Sequence, residues 1–270
     1  MNNLLDIIAR SDTFLLDASG VIYCDFTPIP GVQNAIAAMQ AKGAVFVVTN
    51  NSFQDPVTIS KSLESMGITI ASTHIISSGH GLEHDESMNV LVKDKNVFVF
   101  GAPTSYPYIY QAHCKNIVST PEEADCIVMT SSYKDHTETL LDSIANFLKK
   151  NPHIPTICCN PDRLVRTKHG LKPVIGFFAE KLSQTLGIDL HWIGKPYKNF
   201  SYVTKKLLEK EGITLSKTVC FFDDNIENVQ ALQSDLGISG CLVKETGLAK
   251  DLDTPRTKIP TDFIIPSLSE

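Results

Sequence analysis

Short, continuous apolar runs alternate along this chain with segments whose apolar residues recur every three to four positions. The runs Thr13-Phe14-Leu15-Leu16, Ala44–Val48 and Thr218–Phe222 have the pattern of strands buried on both faces. Between the first two, Val32, Ala35, Ile36 and Met39 share one helical face, with Gly31 before them and Gly43 after. A second helix is expected over about Asp55 to Met66, stopping at Gly67. The middle of the chain starts a new series, with strand-like runs Val97–Phe100, Cys126–Met129 and Thr156–Cys159. Helices are expected from His136 to Lys150, on the face of Leu140, Leu141, Ile144, Phe147 and Leu148, and from Gly176 to Leu186. From Leu190 the first series resumes with a strand ending at Ile193 and a helix carrying Phe200, Val203, Leu207 and Leu208, and Phe263–Ile265 is the last strand-like run.

Strands alternating with helices predict an α/β fold with a doubly wound, Rossmann-like parallel sheet. The interruption predicts that residues 1–80 and 188–270 form that core and that 81–187 are an inserted α/β cap.

Composition narrows the function classes. With 43% hydrophobic residues among 270, the chain can bury a full core. Its 24 basic and 30 acidic residues leave a net charge of −6 and no basic stripe with interleaved aromatics, so no nucleic-acid partner is expected. Seven scattered cysteines without a CxxC pair read as free thiols in a reducing compartment. The segment Met1–Arg10 carries Asp6 and has neither a leader pattern nor a membrane span, so no membrane partner and a cytoplasmic location are expected.

The chemistry gathers at the strand ends. Asp17 closes the first run over the turn Ala18-Ser19-Gly20, where open α/β sheets bind ligands, and reads as a nucleophile, a metal ligand or both. Thr49-Asn50-Asn51, Lys195 and Asp223-Asp224 end three further strands, and a doubly wound sheet brings such ends to one crevice. Paired carboxylates there suit Mg²⁺, a threonine hydroxyl and following amides suit phosphoryl oxygens, and a lysine neutralises both.

These four segments resemble the motifs of the haloacid dehalogenase (HAD) superfamily of phosphatases and phosphotransferases. Asp17-Ala18-Ser19-Gly20-Val21 is similar to its first motif, except that serine replaces the second aspartate. Val47–Asn51, Gly194-Lys195-Pro196 and Phe222-Asp223-Asp224 with Asn228 follow in the family's order. The insertion, with Asn160-Pro161-Asp162, resembles the α/β cap of the class IIA branch, which includes NagD-like and p-nitrophenylphosphatase-like proteins. The resemblance implies Asp17 as nucleophile and Mg²⁺ ligand, the Ser19 main-chain carbonyl and Asp223 as further ligands, and Asp224 and Asn228 ordering water around the metal. It implies Thr49, Asn50 and Asn51 as phosphoryl-binding, Lys195 as catalytic, and Asn160 and Asp162 as substrate-binding cap residues. The partner so implied is a small phosphorylated substrate, with a homodimer through the cap left open.

Ser19 is the departure from that pattern. The family's acid at this position protonates the leaving oxygen, which a neutral hydroxyl does poorly, and such help is worth roughly 10²–10⁴-fold. Three outcomes stay open: a slow phosphatase, a stand-in acid such as Asp25, Asp224 or a cap residue, or a phosphate-binding pseudo-enzyme. Asp224 is read equally well as the N-cap of a helix starting near Ile226. His80 and His84 share a helical face without a third metal ligand, and Trp192, Tyr106, Tyr108 and Tyr110 line a pocket or pack the cap.

Overall fold

The computed structural model describes residues 2–132, 137–250 and 261–269. Six parallel strands form one sheet in the order Phe263–Ile265, Ser239–Val243, Val219–Asp223, Thr13–Leu16, Ala44–Thr49 and Ile75–Ser77. The chain runs from Thr13–Leu16 outward to one edge and later returns on the other side at Val219–Asp223. The order therefore reverses between these two strands, and ligands bind in such sheets beside a reversal of this kind.

Alternation along each strand explains why the runs are apolar throughout. Phe14, Leu16, Val45, Val47, Cys220 and Phe222 face one side, against the helices Leu4–Arg10, Val32–Lys42 and Pro56–Ser65. Leu15, Phe46, Val48, Val219 and Phe221 face the other, against the helices Lys198–Lys210 and Ile226–Leu236. Each fully buried side chain of this size contributes about 1.5–3 kcal/mol, so neither face could be left wet.

A second sheet, also parallel throughout, runs His191–Trp192, Thr156–Cys158, Cys126–Met129, Asn96–Phe100 and Asn116–Val118. Its Val97, Val99, Cys126, Val128 and Ile157 join the same apolar cluster as Leu15 and Phe46, so the two sheets share a core. Its other face, Phe98, Phe100, Ile127, Met129 and Cys158, is covered by the helices Thr137–Lys150 and Ile175–Leu186. His136, the expected start of the first of these helices, lies outside the described residues.

One expectation needs correction. The strand read as reopening the first series, His191–Trp192, is an edge of this second sheet, paired with Ile157 and Cys158. Its two residues are exposed and half-buried, unlike the fully buried central strands of the first sheet, as suits an edge position. The chain rejoins the first sheet's crevice at Gly194 and Lys195.

A small antiparallel hairpin, Leu164–Thr167 with Gly170–Pro173, belongs to neither sheet. No helix among the described residues is long and apolar enough to cross a membrane. All seven cysteines are free thiols, five of them buried.

Candidate active site

The Asp17 amide donates to the Phe222 carbonyl at 2.8 Å, continuing the pairing of two adjacent strands past their ends. This register sets the Asp17 and Asp223 side chains side by side. The Lys195 ammonium bridges them, donating to Asp17 Oδ1 and Asp223 Oδ2 at 2.7 Å each and to the Val48 carbonyl at 2.9 Å. Lys195 is 1% exposed, so these charge-assisted bonds lie in a dry environment. Its loop is clamped by Asn50, whose Oδ1 accepts from the Lys195 amide at 2.7 Å and whose Nδ2 donates to the Lys195 carbonyl at 3.0 Å. The same Nδ2 donates to Asp162 Oδ1 at 3.0 Å, tying the loop after Thr156–Cys158 to the first sheet. Gly194, at φ +131°, must lack a side chain, because a Cβ there would lie 2.5 Å from Pro161 and 2.7 Å from Asn50 Oδ1.

Asp224 completes the acidic group, and carboxylate oxygens of Asp17, Asp223 and Asp224 lie within 4.8 Å of one another. Its close approach depends on Gly20, at φ +87°, where a Cβ would lie 2.3 Å from Asp224 Oδ2. The helix Ile226–Leu236 is capped by Asn225, whose side chain accepts from the Glu227 amide at 3.0 Å. Asp224 is thus not the N-cap and instead accepts from the Leu248 amide. Asn225 also donates its amide to Asp223 Oδ1 at 2.8 Å, and Asn228 Nδ2 donates to both Asp223 oxygens at 3.2 and 3.3 Å.

Burial pushes the Asp17 carboxyl up to about 7 even though Lys195 opposes the shift. Asp224 is held well above the usual carboxylate range by burial and then by the charges of Asp223 and Asp17. For Lys195 burial favours loss of the proton, but attraction to Asp17 and Asp223 outweighs it and keeps the ammonium charged. Burial also raises Asp162 to about 6, against the pull of Lys195.

Three carboxylates beside one ammonium would carry an excess of negative charge if all were ionised, which burial in this crevice resists by raising Asp17 and Asp224. A divalent cation with hard oxygen preferences would cancel it, and the donor set is all oxygen. Asn228 Oδ1, buried beside Asp223 without a hydrogen-bond partner among the described residues, is a further unsatisfied oxygen there. A cavity of about 30 Å³, walled by Asp17, Ser19, Asp224 and Asn228, is large enough for a cation or water. The residues present therefore fit a bound metal.

The other predicted residues divide into two groups. Thr49 is buried at the strand end with Oγ1 accepting from the Asn51 amide at 3.1 Å, and Ser19 is half-buried on the cavity wall. Asn51 and Asn160 are occupied locally: Asn51 bonds Gln54, and Asn160 Oδ1 accepts from the Asp162 amide at 2.9 Å. The aromatic candidates pack elsewhere, with Trp192 stacked on Tyr197 and the Tyr108 hydroxyl donating to the Gln54 carbonyl. Sequence reasoning missed Asn225 and the Arg166 hairpin strand, whose Nε donates to the Gly247 carbonyl at 3.0 Å above the site. Asn225 was findable as the cap residue directly after two acids; Arg166 had no local signal.

The sequence pattern described as "Haloacid dehalogenase-like hydrolase" matches residues 14–113, which carry Asp17 and Thr49. The solved structure named "possible sugar phosphatase, HAD superfamily" from Cytophaga hutchinsonii is similar over 100% of this chain and 98% of its own, with a TM-score of 0.85 and 22% identity. The family pattern thus covers the first part of the chain, residues 14–113, and the likeness to that solved structure extends the same fold over the rest. A second similar structure is a glycerol phosphate phosphatase from Mycobacterium tuberculosis in complex with magnesium (TM-score 0.78, 18% identity, 97% of this chain and 77% of that chain). In sequence, this chain is 23% identical over 259 residues to the dihydroxyacetone phosphatase of Corynebacterium glutamicum, covering 96% of its own length and 90% of the relative.

Proposed function

We propose that this hydrolase is a Mg²⁺-dependent phosphatase that cleaves a small phosphomonoester through a phosphoaspartyl intermediate on Asp17. The observation that carries this reading is Lys195 bonded at once to Asp17 and Asp223, with Asp224 beside them at the reversal of strand order. Phosphoryl transfer asks chiefly for positioning and charge stabilisation, which this group of residues is built to supply. The phosphatase names of its relatives point the same way.

Asp17 is the nucleophile: its oxygen bonds to phosphorus as the bond to the leaving oxygen breaks, and the electron pair departs with that oxygen. Water then attacks the aspartyl phosphate and restores the carboxylate. Thr49 and the amides after it hold the phosphoryl oxygens, and Lys195 neutralises charge on both the phosphoryl group and Asp17. Asp17, Asp223 and the Ser19 main-chain carbonyl would hold Mg²⁺, with Asp224 and Asn228 in support. The bound ion supplies positive charge that keeps Asp17 ionised and draws electron density from the phosphoryl group. Ser19 leaves the departing oxygen without the usual proton donor, so turnover is expected to be slow.

The test is phosphate release from sugar phosphates, nucleotides and acetyl phosphate with Mg²⁺, repeated with chelator. Release that needs the metal, and is fastest from acetyl phosphate with its good leaving group, is expected. Saturable binding of these compounds without release would replace the reading with that of a pseudo-phosphatase, which Ser19 specifically allows.

A further inference from the structure

The cavity at Asp17, about 30 Å³, has no room for the organic part of a substrate. A groove of about 320 Å³ adjoins it, and Asp162, Leu164, Asn225 and Leu248 line both spaces while Lys195 also borders the groove. Five of the groove's walls are apolar: Pro161, Leu164, Leu171, Pro196 and Leu248. Of its charged residues, Arg163 is engaged by Glu180 at 2.9 Å, Asp162 by Asn50 and Lys195 by Asp17 and Asp223, while Glu227 is exposed to water.

The hairpin explains why leucines stand there. Leu164 pairs with Pro173 and Arg166 with Leu171, so Leu164, Arg166 and Leu171 share one face. Arg166 reaches the Gly247 carbonyl, which turns that face toward the site. Leu164 and Leu171 are 37% and 45% exposed, two branched aliphatic side chains on a groove that adjoins the reaction centre. A polyhydroxylated substrate would leave its hydroxyls unpaired against these walls.

We infer that the groove receives the organic part of the substrate and selects phosphomonoesters with an aliphatic or otherwise apolar portion over sugar phosphates. The inference rests on the phosphatase reading for the position of the phosphoryl group. Burying a methylene is worth about 0.8 kcal/mol, a three- to fourfold gain in affinity for each one that fits the groove.

Binding of methyl-, propyl- and pentylphosphonate, measured by calorimetry on the full chain with Mg²⁺, tests this without requiring turnover. Propylphosphonate is expected to bind about tenfold more tightly than methylphosphonate, and pentylphosphonate more tightly still. In Leu171→Asn the pentyl-to-methyl ratio is expected to fall by threefold or more. Equal affinities along the series, or tighter binding of a phosphonate bearing a polyol chain of similar length, would overturn the inference. Failure of the underlying reading shows separately, as no Mg²⁺-dependent phosphate release from acetyl phosphate, whose acetyl group barely enters the groove.

Discussion

In the six-stranded sheet the strand ends deliver Asp17, Thr49 and Asp223 to one crevice, whereas the five-stranded sheet ends in Gly101, Thr130 and Asn160. Both sheets are parallel, both are apolar along their strands, and both are covered by helices. The neutral ends of the second sheet are taken up by protein: Ser52 Oγ donates to the Thr130 carbonyl at 2.9 Å, and Asn160 holds its own turn. The acidic ends of the first outnumber Lys195, and burial holds Asp17 and Asp224 protonated to higher pH. Architecture alone therefore makes no site; the difference lies in three buried acids crowded around one lysine.

Asp17→Asn tests that difference most severely. Phosphate release should fall by a factor on the order of 10⁴ or more, and surviving turnover in a stopped assay would remove the proposed nucleophile. Ser19→Asp should act in the opposite direction, raising kcat on the order of 10²-fold because it restores a proton donor beside the cavity. No gain would mean that another group already supplies the proton.

Lys195→Met removes the ammonium between two buried carboxylates and should cost about 3–5 kcal/mol in urea unfolding, part of it recovered with added Mg²⁺. A stability loss under 1 kcal/mol would show that the carboxylates are better solvated than their burial implies.

His80 lies where the chain passes from the first sheet to the second, accepting from the Ser77 amide at 3.0 Å, with Tyr108 edge-on. Burial, then the neighbouring His84, lowers it from 6.5 to about 4. Between those values the unfolded chain binds the proton and the fold does not, so stability is complete above pH 6.5 and declines as pH falls toward 4. The loss is on the order of 3 kcal/mol. His80→Asn should flatten this slope when unfolding is followed across that range; an unchanged slope would assign the effect to other groups. Smallest of all, Ser52→Ala should cost about 1 kcal/mol and change kcat little, because it frees only a neutral strand end of the second sheet.

How far the sequence could be read depended on how local the signal was. Asp17, Asp223 and Thr49 were legible because each directly follows an apolar run, and a parallel sheet carries all such ends to one side. Lys195 was legible only through its Gly-Pro setting, and nothing local could show that it bridges Asp17 and Asp223 across 178 and 28 residues. His191–Trp192 was misjudged because a two-residue strand carries little pattern of its own, and the sheet it joins is set by pairing with Ile157 and Cys158, a long-range property. The local bonds of Asn51 with Gln54 and of Asn160 with the Asp162 amide had no signal in the sequence beyond their places in turns.

From its order of residues alone, the chain dictated two alternating α/β series and a set of acids, hydroxyls and one lysine at strand ends, since period and burial are properties of neighbours along the backbone. Tertiary structure decided which ends meet, that Asn225 and not Asp224 caps its helix, and that a hairpin outside both sheets lays leucines beside the crevice. Those outcomes depend on register and on contacts between distant segments, where a shift of one position would turn Asp17 or Asp223 away from Lys195.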